Sequence, residues 1–144
     1  MLDALLAVID QDRGARLLAL TALARLVDDP VNVTALCLQP ECGVVETLVN
    51  LLSTLKGSEK ACETVCYIFF LLCRNADNRD YLSEPSLQVV QNITRIAESG
   101  FGVSSLSLAC SWAEKTLELL RIDGGYMYYL LDKKYERPNL VNYV

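Results

Sequence analysis

The chain has 144 residues, 52% hydrophobic and 22% charged, a balance that excludes a disordered or fibrous protein. Its formal net charge of −5 gives no positive field for a phosphate backbone, so nucleic acid is not an expected partner. The longest unbroken apolar run, Val65 to Cys73, has nine residues, about half of the ~18 that span a bilayer, so a membrane is not expected either. The chain starts at Met1 without the basic region of a signal peptide, and we expect an intracellular protein, in the cytoplasm or nucleus.

Apolar stripes at helical spacing follow one another along the chain. The first pair of stripes is Leu2, Leu5, Leu6 and Ile9, then Leu20, Leu23, Ala24 and Val27. The second pair is Val45, Leu48, Val49 and Leu52, then Cys62, Cys66, Phe69 and Cys73. The third pair is Leu87, Val90 and Ile93, then Leu106, Ala109, Cys110, Ala113, Leu117 and Leu120. Each pair predicts a short helix, a turn and a longer helix.

The three cycles also align as text. Residues 24–36 read ARLVDDPVNVTAL, and residues 70–82, forty-six positions on, read FLLCRNADNRDYL, so that Asn32 corresponds to Asn78. Tyr67 corresponds to Trp112 with a shift of forty-five. A period in the forties is typical of armadillo and HEAT repeats, whereas tetratricopeptide and ankyrin repeats have ~33 to 34 residues.

Two segments resemble the armadillo family. Residues 74–82, RNADNRDYL, are similar to the end of one armadillo repeat and the first helix of the next, and residues 41–52, ECGVVETLVNLL, to the glycine turn and second helix. The resemblance covers roughly residues 1–122. It implies an all-α protein, a right-handed α-solenoid of about three armadillo-like repeats at 1–43, 44–86 and 87–122. HEAT repeats are the alternative.

The chain departs from the family pattern at two points. The first cycle starts with what resembles the second helix of a repeat, so one apolar end is uncapped and we expect a module of a longer protein. In the third cycle Glu84, Pro85 and Ser86 replace the glycine turn. Because proline suits the first turn of a helix, this segment is still expected to end one helix and start the next.

The resemblance also implies a candidate site, because armadillo proteins bind ligands along the surface formed by the longest helix of each repeat. Corresponding positions hold Thr21, Tyr67 and Trp112, which we expect to form a row, with core packing as the alternative for the two aromatic residues. The nuclear-import members carry asparagines one turn further on, which this chain lacks, so a partner is expected to bind as a helix or a folded surface. The candidate partner-binding residues are Thr21, Arg25, Glu63, Tyr67, Arg74, Trp112 and Thr116.

Catalysis, cofactors and metal ions are not expected. The chain has no histidine, so it has no imidazole base and no histidine-ligated metal. Gly124 and Gly125 lack the spacing of a phosphate-binding loop. Most of the six cysteines fall on apolar helix positions, and we expect all six to be free thiols.

The last segment, residues 123–144, differs in composition and is rich in tyrosine. It is expected to form a final helix that caps the open C-terminal end of the solenoid, or else a docking peptide for another protein.

Together these patterns predict a scaffold or adaptor that binds a protein or peptide partner along the solenoid surface. Two alternatives stay open. One is an assembly subunit that forms a homo-oligomer, or docks on another subunit, through its uncapped repeat end. The other is a chaperone or exchange factor of the armadillo type.

Overall fold

The computed structural model of the protein describes residues 2–54, 59–99 and 107–122. Within these ranges every regular element is helical and no strand occurs, which confirms the prediction of an all-α protein for this part of the chain. The helices are α1 (Leu2–Gln11), α2 (Arg16–Asp28), α3 (Pro30–Leu38), α4 (Val44–Thr54), α5 (Glu59–Cys73), α6 (Ala76–Leu82), α7 (Val89–Ser99) and α8 (Ser107–Ile122). Two short 3₁₀ turns, Pro40–Cys42 and Pro85–Leu87, precede α4 and α7.

The helices form three successive units, which we call the first unit (α1–α3), the second unit (α4–α6) and the third unit (α7 and α8). Corresponding helices of neighbouring units lie side by side: α2 packs on α5 and α5 on α8, α1 packs on α4 and α4 on α7, and α3 packs on α6. Arg74, which follows α5, forms a 2.7 Å ion pair with Asp28 at the end of α2. Since their ends meet, α2 and α5 run in the same direction.

The apolar stripes identified in the sequence form one continuous core. Leu20, Leu23 and Val27 of α2 have no exposed surface, and the same is true of Cys66, Phe69 and Cys73 of α5. Ile93 of α7 and Leu120 of α8 are equally buried in the third unit. Because each large apolar side chain contributes about 1.5–3 kcal/mol when it leaves water, these layers provide most of the stabilisation of the stack.

The short third helix of a unit begins in the same way in the first and second units. The Asp29 carboxylate accepts a hydrogen bond from the Val31 amide, with Pro30 in the first helical turn. Asn75, forty-six positions later, accepts one from the Asn78 amide through its side-chain oxygen. A side-chain acceptor at the start of a helix satisfies backbone N–H groups that have no partner within the helix, so the local sequence ends one helix and starts the next at a fixed point in each unit.

The turns before α4 and α7 also correspond. Gly43 has a φ of +74° and Gln88, forty-five positions later, has a φ of +61°. The sequence predicted a break at Glu84, Pro85 and Ser86, and a 3₁₀ turn begins there at Pro85. Leu87 was expected on the helix of the third cycle but lies in that turn, because the left-handed residue at position 88 delays the start of α7 to Val89.

The tyrosine-rich segment 123–144, expected as a capping helix or a docking peptide, lies outside the described residues. The division of the chain at residues 43, 86 and 122 stays a prediction. No helix in the described ranges has the length and apolar character needed to cross a bilayer.

Candidate functional site

The two aromatic residues of the expected row are in contact. The ring centroids of Tyr67 on α5 and Trp112 on α8 lie 4.7 Å apart, and Phe70 lies 5.0 Å from the same indole. The ammonium of Lys115 is 4.7 Å from the indole centroid, within the range of a cation–π interaction. Tyr67 and Trp112 are both half-buried, so this cluster joins two neighbouring long helices and leaves only part of each ring exposed.

Thr116 does not belong to a partner-binding surface. Its side chain has no exposed area, and its hydroxyl donates a 2.8 Å hydrogen bond to the carbonyl oxygen of Trp112, one turn back. A side chain without exposed surface cannot contact a partner, so the sequence-based assignment is corrected here. The reason is that the position of Thr116 lies on the side of α8 that the rest of the stack covers.

The charged candidates Glu63 and Arg74 both have partners within the chain. Glu63 is half-buried and lies 3.6 Å from Lys60, one turn earlier on the same helix. Arg74 is exposed and binds Asp28. Exposed ion pairs contribute little to stability, and Arg74 remains accessible from solvent.

Thr21 and Arg25 lie on α2, whereas the aromatic cluster lies on α5 and α8, and the row of Thr21 with the two aromatic residues stays a prediction. Thr21 and Arg25 are both exposed on α2 and line an apolar groove of about 810 Å³ on a face of the first unit that no other described unit covers, which we call the open-end groove. From α2 the groove is lined by Leu18, Thr21, Ala22, Arg25 and Leu26. From α1 and α3 it is lined by Leu2, Ala4, Leu5, Val8, Asn32 and Leu36.

The groove arises from the helical spacing of α2. Positions 18, 21, 22 and 25 recur at i, i+3, i+4 and i+7 and therefore form one face, on the side of the helix opposite to its core stripe. Leu18 on this face is 77% exposed. The Thr21 hydroxyl donates a hydrogen bond to the carbonyl oxygen of Leu17 within the helix, and Arg25 is the only charged residue among the described residues that line the groove.

Leu18 and the groove residues of α1 and α3 were missing from the sequence-based site. Leu18 lies outside the stripe that identifies α2 as amphipathic, and a single apolar residue on a polar face carries no signal by itself. The uncapped first cycle was the signal that pointed to this side of the chain.

The six cysteines do not form a candidate site as clear as the open-end groove. All six are free thiols, and no group of three or more metal-ligating side chains in the described ranges is arranged around a possible ion. Burial raises the pKa of the Cys37 thiol to about 12 and also raises that of Cys73. A hydrogen bond from Cys66 and the positive charge of Arg95 lower the pKa of Cys62, while the same hydrogen bond, together with burial, raises that of Cys66.

Comparison of the chain with known protein families, with curated proteins and with solved structures finds no match.

Proposed function

We propose that this chain is a protein-interaction module with an armadillo-like α-solenoid fold and that it binds a partner protein through the open-end groove. The observation that carries the proposal is the groove itself, an apolar concavity of about 810 Å³ whose residue Leu18 is 77% exposed. Contiguous exposed apolar surface on a helical domain is typical of an interaction site.

The armadillo-like solenoid is supported by the way in which the units correspond. Helices of the same rank pack on one another, the starts of α3 and α6 are capped at positions forty-six residues apart, and left-handed residues precede α4 and α7. Such stacks place their interaction surfaces along successive equivalent helices or at the ends of the array. A binding role suits this architecture, and the described residues that line the groove include one cation and no acid–base pair that would serve catalysis.

The open-end groove is a better candidate than the aromatic cluster around Trp112. In the cluster, the rings of Tyr67 and Phe70 already contact the indole. In the groove, the apolar side chains of α1, α2 and α3 converge on solvent. Burying apolar surface that is exposed in the free protein contributes about 25 cal/mol per Å², so the groove offers more binding free energy than half-covered rings.

The test is affinity capture with three versions of the full chain as bait. The variant Leu18→Glu places a charge in the groove. The control Leu108→Glu makes the same change at another exposed leucine, which is 53% exposed on α8 and lies outside the groove. Melting curves from circular dichroism establish that both variants are folded.

We expect a set of proteins that the wild type and Leu108→Glu both capture and that Leu18→Glu loses. If Leu18→Glu captured the same set of proteins as the wild type, the proposal would be overturned. Loss of the set with both variants would also contradict it, because the loss would then not be specific to the groove.

A further inference from the structure

The second unit shows what covers the positions that line the open-end groove. Groove residues of the first unit have counterparts forty-six positions later on the second: Ala22 corresponds to Ile68, Arg25 to Leu71 and Leu36 to Leu82. The three counterparts have exposed fractions of 0%, 2% and 0%, whereas Ala22 and Arg25 are exposed and Leu36 is half-buried. The same positions are thus covered in the second unit and open in the first.

The cover in the second unit is helical. The first unit lies against it with α2 along α5, α1 along α4 and α3 along α6. The long helix α2 runs in the same direction as α5, as the Arg74–Asp28 ion pair at their ends shows. A surface of the same geometry on the first unit therefore fits a helix that lies along α2, with a length close to the 13 residues of α2 itself.

The charge in the groove adds a chemical requirement. Arg25 lines the groove, and no ion pair or side-chain hydrogen bond joins it to another residue of the described ranges. At the corresponding positions, Leu71 and Thr116 are neutral and buried. Because a covered guanidinium without a counter-charge is costly, the covering helix must bring a carboxylate to Arg25.

A second copy of the chain does not meet the charge requirement and the need for apolar contacts together. None of the described residues that line the groove is a carboxylate, so two copies joined groove to groove would bury two Arg25 side chains without an opposing charge from these residues. A head-to-tail stack would place α8 on the groove. At the positions of α8 that correspond to Leu23 and Val27 of the α2 core stripe, α8 carries the exposed Glu114 and Glu118. These carboxylates supply negative charge, but they make the face polar where the groove requires apolar contacts.

From these observations we infer that the open-end groove takes an amphipathic α-helix of a partner protein, which lies along α2 with an apolar stripe in the groove and a carboxylate at Arg25. This inference rests on the proposed function and gives the partner its chemistry. The stripe has the i, i+3, i+4, i+7 spacing by which helices bind to grooves.

The test is a selection from a displayed library of helical peptides of about 16 residues, long enough to form a helix on an alanine-rich scaffold. The library is selected on the full wild-type chain, with counter-selection on Leu18→Glu, and separately on Arg25→Glu. We expect wild-type binders with apolar residues at helical spacing and an aspartate or glutamate at one fixed position. On Arg25→Glu that position should change to lysine or arginine, and wild-type binders should lose about tenfold or more in affinity, the effect of one close charge pair.

Two results of the selection would overturn the inference. One is a failure to enrich binders over the Leu18→Glu counter-selection, and the other is a set of binders without helical spacing or with no preference that Arg25→Glu reverses. Circular dichroism melts of both variants show whether a lost interaction comes from unfolding.

A photo-cross-linking amino acid at position 18 of the full chain tests the competing occupants. We expect the isolated protein to cross-link neither to a second copy nor to its own segment 123–144. A cross-link to either one would assign the groove to that occupant and overturn the partner helix. The capture experiment does not depend on the occupant being a helix, so capture lost with Leu18→Glu together with a failed selection refutes this inference and leaves the proposed function standing.

Discussion

The side-chain amide of Asn78 donates a 3.1 Å hydrogen bond to the carbonyl oxygen of Leu72, at the C-terminal end of α5. The same amide nitrogen donates to the carbonyl oxygen of Val33 on α3, also at 3.1 Å, so one buried side chain links the second unit to the first. We expect Asn78→Ala to lower the free energy of unfolding by about 1–3 kcal/mol, because a buried carbonyl group loses its donor. Denaturant unfolding of the full chain measures this change.

Asn32 provides the matched control for Asn78. Its side chain donates to the carbonyl oxygen of Leu26 at 3.2 Å, the same bond forty-six positions earlier, but within the described residues it makes no second bond to a neighbouring unit, and Asn32 is only half-buried. Asn32→Ala should therefore cost about 1 kcal/mol or less. Equal losses in the two variants would contradict the bridging role of Asn78.

The correspondence of Asn32 and Asn78 was visible in the sequence, and so was the all-helical architecture. Both depend on local spacing, namely apolar stripes and helix-capping residues, which a chain carries in its own order of residues. The burial of Thr116 was not predictable in this way, because a small polar residue on a helix gives no sign of which neighbour covers it. The exposure of Leu18 depends on which elements pack beside α2, and helical periodicity contains no information on that.

Arg16 gives a second prediction on stability. Its exposed fraction is only 6%. Its guanidinium donates hydrogen bonds to the carbonyl oxygens of Ile9, at 2.6 Å, and Asp10, at 3.0 Å. These bonds satisfy carbonyl groups at the C-terminal end of α1, where a positive charge is also favoured by the helix dipole. We expect Arg16→Met to lower the free energy of unfolding by about 2–3 kcal/mol.

The control for Arg16 is Arg13→Met, which removes the same charge from an exposed position in the turn between α1 and α2. This change should shift the free energy of unfolding by less than about 0.5 kcal/mol. If chemical denaturation gave both variants the same loss, net charge and not the capping of α1 would be responsible.

Substitutions in the turns before α4 and α7 should change the stability of the fold in opposite directions. Gly43 has a φ of +74°, a conformation that costs an L-residue about 1–2 kcal/mol, so Gly43→Ala should destabilise the fold by that amount. A Cβ at this position would meet the Leu6 side chain at 3.8 Å, an ordinary contact, so the backbone conformation causes the loss. Gln88 carries the same strain at a φ of +61°, and Gln88→Gly should raise stability by about 0.5–1 kcal/mol. Thermal melts of the two variants decide, and a gain with Gly43→Ala or a loss with Gln88→Gly would refute the argument.

Cys62 and Cys110 should differ in their reactivity towards alkylating reagents. Both are half-buried. The hydrogen bond from Cys66 lowers the pKa of Cys62, whereas burial and the nearby Glu114 raise the pKa of Cys110. Since only the thiolate reacts and its fraction grows with pH, the alkylation rate of Cys62 should rise at lower pH than that of Cys110. Peptide mass mapping after short iodoacetamide pulses measures both rates, and Cys66→Ala should move the Cys62 profile to higher pH. A Cys62 profile that Cys66→Ala leaves in place would remove the hydrogen bond as the cause.

Substitution of Trp112 distinguishes a packing role from a binding role for the aromatic cluster. Its indole contacts Tyr67 and Phe70 of the neighbouring long helix and lies beneath the Lys115 ammonium, and its exposed fraction is intermediate. Truncation of a tryptophan that is packed on two rings leaves a cavity between α5 and α8, and we expect Trp112→Ala to lower the free energy of unfolding by about 3–5 kcal/mol. Lys115→Ala serves as the control, because it removes the cation–π contact at a cost of about 0.5–1 kcal/mol and leaves the ring packing in place.

Partner capture is measured on the same proteins at a temperature below their melting transitions. If Trp112→Ala leaves stability unchanged and abolishes capture, the aromatic cluster is the binding surface; a large loss of stability with capture retained by the folded fraction places Trp112 in the packing between the units.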